Sequence, residues 1–341
     1  MTLDRRITAF SKLGERLRSS LDEQSSGSDS SVEFENLIQK TTILNPWFTP
    51  SNVRLALDRW SQILTAQNLL NWMSSYETKE IESKTVALVM AGNIPMVGFH
   101  DLLSVLMVGH KALVKLSSQD AVLMPYLVQQ LTQIDPYFED RVVFTKEKLQ
   151  GFDMVIATGS NNTARYFDYY FSKYPNILRK NRNSVAVLTG QESADDLKAL
   201  ADDVFQYFGL GCRNVTKLMV PESYDFQDFF GGMYHFSDII NHHKYANNYD
   251  YHKAVELLNG TDLLDNGFLL LKNSSQYASP IGMLHWESYS DRILLQSKFS
   301  QDQEFIQCVV GQDYVPFGNA QRPSLSDFAD GIDTVEFLLK N

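Results

Sequence analysis

TVALVMAGNIP, residues 85–95, decides the reading of the fold. A short apolar run with β-branched residues closes on Gly92-Asn93 and Pro95. That pattern is a buried strand running into a loop. It recurs in KALVKL (111–116), RVVF (141–144), DMVIATG (153–159) and SVAVLTG (184–190). Between these runs, residues 97–110, 120–134 and 164–174 read as helices. Strands alternating with helices predict βαβ units around a parallel sheet. Such strands are covered on both faces, so they lack polar alternation. Ligands of open parallel sheets bind beyond the carboxyl ends of the strands. The loops opening at Asn93, Ser117 and Gly159 are therefore the ones to examine.

Outward from this core the pattern changes. Upstream, Ile7, Phe10, Leu13 and Leu17 fall at helical spacing within residues 4–20. A polar, Ser-rich stretch follows at 22–31, then a helical region interrupted at Pro46 and Pro50 and a helix-like stretch at 52–77. Downstream, a helix at 193–208 leads into FGLGCRNVTKLMVP (208–221). Strands are predicted at 215–221, 267–273 and 304–311, with helices near 225–238 and 244–258. No internal repeat is present. The expected organisation is a helical region (1–80) packed on a nucleotide-binding domain (81–205), a cysteine-bearing catalytic domain (206–311), and a C-terminal return near 312–341.

Composition narrows the function. The net charge is -11, and no run of Lys and Arg supplies the basic stripe of a nucleic-acid binder. Cys212 and Cys308 are the only cysteines, too few for a disulfide framework or a four-cysteine zinc site. MTLDRRITAFSKLGERL at the start lacks the apolar stretch of a signal peptide. No segment reaches the roughly 20 apolar residues of a membrane span. A cytoplasmic, soluble protein is expected.

The candidate chemistry is spread along the chain. Cys212 lies in Gly209-Leu210-Gly211-Cys212-Arg213-Asn214, between a helix and a strand. Glycines there permit close backbone approach and access to a thiolate. A lone cysteine is more often buried and structural. Asn93 is placed to donate to an oxyanion, or is simply a turn residue. Lys115, ahead of Ser117, suits a nucleotide's hydroxyls or phosphates, or is a solvated strand end. Thr158-Gly159-Ser160 joins strand to helix, where N–H groups hold phosphate, but it is neither G-x-G-x-x-G nor a P-loop. His235, His242, His243 and His252 share one helical region without the spacing of a zinc motif, so no metal is expected.

In order, these pieces resemble the aldehyde dehydrogenase superfamily, and most closely its acyl-CoA reductases of the LuxC family. The resemblance covers roughly residues 85–341. Asn93-Ile94-Pro95 stands for an Asn-aromatic-Pro loop, and Val114-Lys115-Leu116-Ser117 for a strand ending in Lys before Pro-Ser. Thr158-Gly159-Ser160 stands for a Thr-Gly-Ser loop, and Gly209-Leu210-Gly211-Cys212 for Gly-x-x-Cys. Glu304-Phe305-Ile306-Gln307-Cys308 keeps only the Glu and the apolar frame of Glu-x-Phe-Gly-Pro. Pro316-Phe317-Gly318 matches a Pro-Phe-Gly loop. The tail, from Asn319-Ala320-Gln321-Arg322-Pro323 to Asp330-Gly331-Ile332-Asp333-Thr334, is similar to the LuxC closing motif. No single motif is specific, but six in the right order are.

The resemblance implies an α/β, aldehyde-dehydrogenase-like fold: two α/β domains with parallel-rich sheets and the active site in a cleft between them. It implies Cys212 as nucleophile, with Asn93 and the Cys212 N–H stabilising the oxyanion. It implies NADPH, with NADH as the other possibility, held by Lys115, Ser117, Thr158, Gly159, Ser160, Glu304 and Phe317. The substrate it implies is an acyl-CoA or acyl-carrier thioester, and the assembly a homodimer. One departure is informative. Oxidative members carry Glu-Leu-Gly-Gly-Lys, whose Glu activates the water that hydrolyses the acyl-enzyme. Here Leu178 stands at that Glu, within Leu178-Arg179-Lys180-Asn181-Arg182-Asn183. A general base contributes about 10²–10⁴-fold, so hydrolysis should be slow and transfer to or from a thiol favoured. Arg179, Lys180 and Arg182 either receive phosphates or form a solvated basic turn. Two other readings stay open: a non-catalytic nucleotide-binding protein of this fold, and a cysteine acyltransferase or thioesterase that uses no nicotinamide.

Overall fold

A computed structural model describes residues 1–22, 29–78, 82–159 and 161–341. Chain contacts divide into two compact units, Met1–Lys180 with Ser324–Asn341, and Asn181–Pro323.

The first unit opens with helices α1 (Leu3–Asp22), α2 (Asp29–Leu44), α3 (Pro50–Ile63) and α4 (Ala66–Met73). Ile7, Phe10, Leu13 and Leu17 of α1 are buried, as their spacing predicts. Pro50 starts α3, where its missing N–H costs nothing, and Thr49 caps that helix by accepting from Asn52 N. The α/β core follows as β1 (Thr85–Val89), α5 (Phe99–Val108), β2 (Lys111–Lys115), α6 (Leu123–Ile134), β3 (Val142–Phe144), β4 (Met154–Thr158), α7 (Asn161–Phe171) and β5 (Asn176–Arg179). The five strands run parallel in the order β3-β2-β1-β4-β5. Chain direction across the sheet reverses between β1 and β4, the kind of switch point where parallel sheets hold ligands. The N-terminal helices pack on this core: Arg5 on α1 pairs with Asp135 at 2.7 Å, just beyond α6.

The second unit contains β6 (Asn183–Val187), α8 (Ala194–Phe205), β7 (Val215–Pro221), α9 (Gln227–Met233), α10 (His243–Leu258), β8 (Leu263–Asp265), β9 (Leu270–Asn273), β10 (Met283–Tyr289), α11 (Arg292–Gln301) and β11 (Ile306–Val310). The six-stranded sheet has the order β11-β6-β7-β10-β9-β8, parallel except for the β8–β9 pair. The chain returns to the first unit with α12 (Thr334–Lys340).

The two compact units divide the chain at other positions than the expected functional domains. The break expected near 205 lies at Lys180/Asn181, because β6 pairs with β7 and β11 and so belongs to the second sheet. The C-terminal return begins at Ser324, not near 312, because Gly318 and Ala320 donate their N–H groups to Asp203 on α8. No helix of the described residues is long and apolar enough to cross a membrane.

Candidate active site

In the first unit the sequence-predicted residues gather at one end of the sheet. Val89, the last residue of β1, lies in register between Lys115 of β2 and Ala157 of β4. Asn93, Lys115, Ser117, Thr158 and Gly159 therefore all stand at or beyond the carboxyl ends of three adjacent strands. Each is half-buried. Lys115 Nζ donates to the Glu147 carbonyl at 3.3 Å. The loops after β1 and β2 are pressed together. A Cβ at Gly92 would lie 2.6 Å from Ser117 Oγ, so only glycine permits this approach. Ser117 Oγ accepts from Gln119 N at 3.2 Å, which shapes its own turn. Ser160 lies outside the described residues, and the helix after it, α7, begins at Asn161.

Sequence reasoning missed the residue that fixes the Asn93 loop. Asp120 is buried, and its Oδ2 accepts from Met96 N at 2.8 Å. Met96 sits at φ 61, a left-handed conformation unusual for a large side chain. Asp120 Oδ1 has no hydrogen-bond partner. Burial pushes this carboxyl up to about 6, against the Met96 and Leu123 N–H groups, which favour its charged form.

In the second unit, Cys212 is half-buried, between α8 and β7. Tyr207, Phe208 and Gly209, just upstream, have φ of 53, 60 and 75. For the two non-glycine residues this costs about 1–2 kcal/mol each, so the surroundings must hold the turn. Asn214, fully buried, does so. Its Oδ1 accepts from Gly211 N at 2.8 Å, and its Nδ2 donates to the carbonyls of Asp203 (3.1 Å), Val204 (3.3 Å) and Gln206 (2.8 Å). Those carbonyls lie at the end of α8, where helical partners run out. Ser184 Oγ on β6 donates to the Cys212 carbonyl at 3.0 Å. His242 packs its ring on Phe208, with centroids 4.3 Å apart, a neighbour of this turn that sequence separation conceals.

Phe317 joins the same region. Its loop is held by Asp203, fully buried, whose Oδ2 accepts from Gly318 N at 2.7 Å and Oδ1 from Ala320 N at 2.9 Å. Burial pushes this carboxyl also up to about 6. Arg213 donates to the Ala320 carbonyl at 3.4 Å. Glu304 is exposed in the turn ahead of β11. Cys212 and Glu304 thus both precede strands of one parallel set, β7 and β11, with β6 between them. Here the candidates lie at the amino end of the strands, not at the carboxyl end that the general rule favours.

The two arginines of the basic segment 179–182 have other work. Arg179 is buried against Asp101, with NH2 2.6 Å from Oδ1. It also donates to the Ala329 carbonyl at 2.6 Å and to Thr334 Oγ1 at 2.9 Å. Arg182 donates to the carbonyls of Gln303 (3.0 Å) and Ile306 (3.3 Å). Neither phosphate binding nor a solvated turn describes Arg179: it ties the C-terminal return to α5. Leu178 packs against Ala87, Phe152, Val155 and Ala157.

The fold is that of the aldehyde dehydrogenases. A putative aldehyde dehydrogenase from Burkholderia cenocepacia superimposes with a TM-score of 0.64 at 12% identity, over 86% of this chain and 71% of that one. Aldehyde dehydrogenase 21 from Physcomitrella patens, in complex with succinate, gives 0.66 at 13%, over 100% and 84%. An aldehyde dehydrogenase from Bacillus cereus in complex with NAD+ gives 0.62 at 10%, over 91% and 72%. Residues 49–227 match the acyl-CoA reductase (LuxC) family, and the chain belongs to it. That segment contains Asn93, Lys115, Ser117, Thr158, Gly159 and Cys212; Glu304 and Phe317 lie beyond it. No curated protein matches the chain.

Proposed function

We propose that this chain reduces an acyl thioester, an acyl-CoA or acyl-carrier conjugate, to an aldehyde through an acyl-enzyme on Cys212. The observation that carries the reading is the Cys212 turn: a half-buried cysteine within the family segment, just after the left-handed stretch Tyr207–Gly209, in a turn that Asn214 and Ser184 hold in place.

The Cys212 thiolate attacks the thioester carbonyl carbon, and its backbone N–H donates to the oxyanion. Collapse of the tetrahedral intermediate breaks the bond to the departing thiol, which leaves as thiolate and takes up a proton. The acyl group is then on Cys212. A nicotinamide dinucleotide suits the first unit, with an ammonium at Lys115, a hydroxyl at Ser117, backbone pressed close at Gly92, and the start of α7 beyond Gly159. Bound, it supplies a hydride. The resemblance favours NADPH. Addition of hydride to the acyl carbon, followed by expulsion of the Cys212 thiolate, gives the aldehyde. Leu178, sunk in apolar contacts, offers no base for hydrolysis, which supports reduction over acid release.

The test is turnover with acyl-CoA thioesters of graded chain length and NADPH, following free thiol, NADPH and aldehyde together. The three are expected to change in equal amounts. Cys212→Ala should lower the rate by about 10³-fold or more. Thiol release that requires no NADPH would instead indicate an acyltransferase or thioesterase. Nucleotide binding without turnover would indicate a non-catalytic relative.

A further inference from the structure

The turn that carries Cys212 and the loop that carries Phe317 are built around one residue. The Asp203 backbone carbonyl accepts from Asn214 Nδ2, and Asn214 in turn holds Gly211 N beside Cys212. The Asp203 side chain accepts from Gly318 N and Ala320 N, one N–H for each oxygen. Arg213, next to Cys212, closes the circuit at the Ala320 carbonyl. Gly318 has φ 79, and a Cβ there would lie 3.1 Å from Ala199 Cβ on α8, so the loop is seated directly on that helix. An anionic acceptor of two backbone N–H groups is a strong and directional link. A strained turn stays in place only when its surroundings over-determine it.

We propose that Asp203 is a positioning residue for Cys212. Its carboxylate locks the Pro316–Ala320 loop onto the helix end from which the Cys212 turn springs, so the sulfur is held where it reacts. The proposal rests on the reading of Cys212 as nucleophile. Asp203 acts through Asn214, Gly318 and Ala320. Its removal should therefore lower the reactivity of Cys212 and the turnover number.

The experiment uses the full chain and Asp203→Asn, which keeps shape and replaces one acceptor with a donor. Alkylation of Cys212 by iodoacetamide, followed by mass spectrometry of its peptide, reads the thiol without any assumption about substrate. Asp203→Asn is expected to slow this labelling by about tenfold, with near-ultraviolet circular dichroism unchanged. With acyl-CoA and NADPH, kcat should fall in parallel while KM changes little. Gly318→Ala loosens the same junction from the loop side and should slow labelling too; the double variant should be no slower than the slower single variant. If Asp203→Asn does not fold, Gly318→Ala alone decides. Labelling at the wild-type rate in the folded variant overturns the proposal. If wild-type Cys212 is alkylated but never acylated by any acyl-CoA, the reductase reading fails, while the labelling rates still decide the role of Asp203.

Discussion

Asp120 and Asp203 do the same task in different units, and only one of them is fully satisfied. Each is a buried carboxylate that accepts backbone N–H groups from a loop bearing a candidate functional residue. Asp203 gives one oxygen to Gly318 N and the other to Ala320 N. Asp120 holds Met96 N through Oδ2, and its Oδ1 has no partner. A buried acceptor left unsatisfied costs about 1–3 kcal/mol. The Phe317 loop is therefore fastened at two points and the Asn93 loop at one. The comparison teaches where the protein keeps rigidity, beside Cys212, and where it carries an unsatisfied group, beside the first sheet's carboxyl ends.

Titration gives the largest expected effect. Burial raises both carboxyls from 3.8 to about 6. Folding then takes up protons between those values, so each group's contribution is full below pH 3.8 and is lost as pH rises through 6. The loss is roughly 3 kcal/mol for each group. Urea midpoints at pH 5 and pH 7.5 should differ less in Asp120→Asn and in Asp203→Asn than in the wild type. An unchanged difference in either variant removes that residue from the account.

At fixed neutral pH the two variants should separate. Asp120→Asn keeps an acceptor for Met96 N and removes a buried charge that desolvation disfavours, so stability should rise by about 1–2 kcal/mol. Asp203→Asn must turn an amide NH2 toward Gly318 N or Ala320 N, and stability should fall by about 1–3 kcal/mol. Denaturant unfolding decides, and shifts of the same sign would erase the distinction between the loops. The smallest effect belongs to Ser184→Ala. It removes the hydrogen bond to the Cys212 carbonyl, for about 0.5–1.5 kcal/mol. Cys212 alkylation should change by at most about two- to twelvefold, that energy converted to a rate ratio. A variant that unfolds like the wild type would show that Ser184 does not support the turn.

Much of this was legible in the chain. The runs at 85–89, 111–115, 142–144, 154–158, 183–187 and 215–221 are apolar and β-branched, and each is a strand. Others were hidden by their chemistry. β5 follows Pro175 and carries Asn176 and Arg179, so it reads as a basic turn; its arginine is neutralised by Asp101, far upstream. β10, MLHWESY, looks too polar for a central strand. Yet Glu287 accepts from Lys217 Nζ at 2.5 Å, and Lys217 is fully buried on the neighbouring strand. The candidate residues themselves, Cys212 among them, were visible as motifs in order. Their supports were not. Asp120, Asp203 and Asn214 act through backbone N–H and C=O groups, which leave no mark in sequence spacing. The left-handed turn at Tyr207 and Phe208 gave no signal, because neither residue is a usual choice for positive φ.

The central claim is that Cys212 carries the acyl group. Mixing the protein with an acyl-CoA, without nucleotide, and mapping the mass of the Cys212 peptide tests it most directly. The account predicts one acyl group on Cys212 and none on Cys308, released as aldehyde when NADPH is added. An unmodified Cys212 across all chain lengths would contradict it.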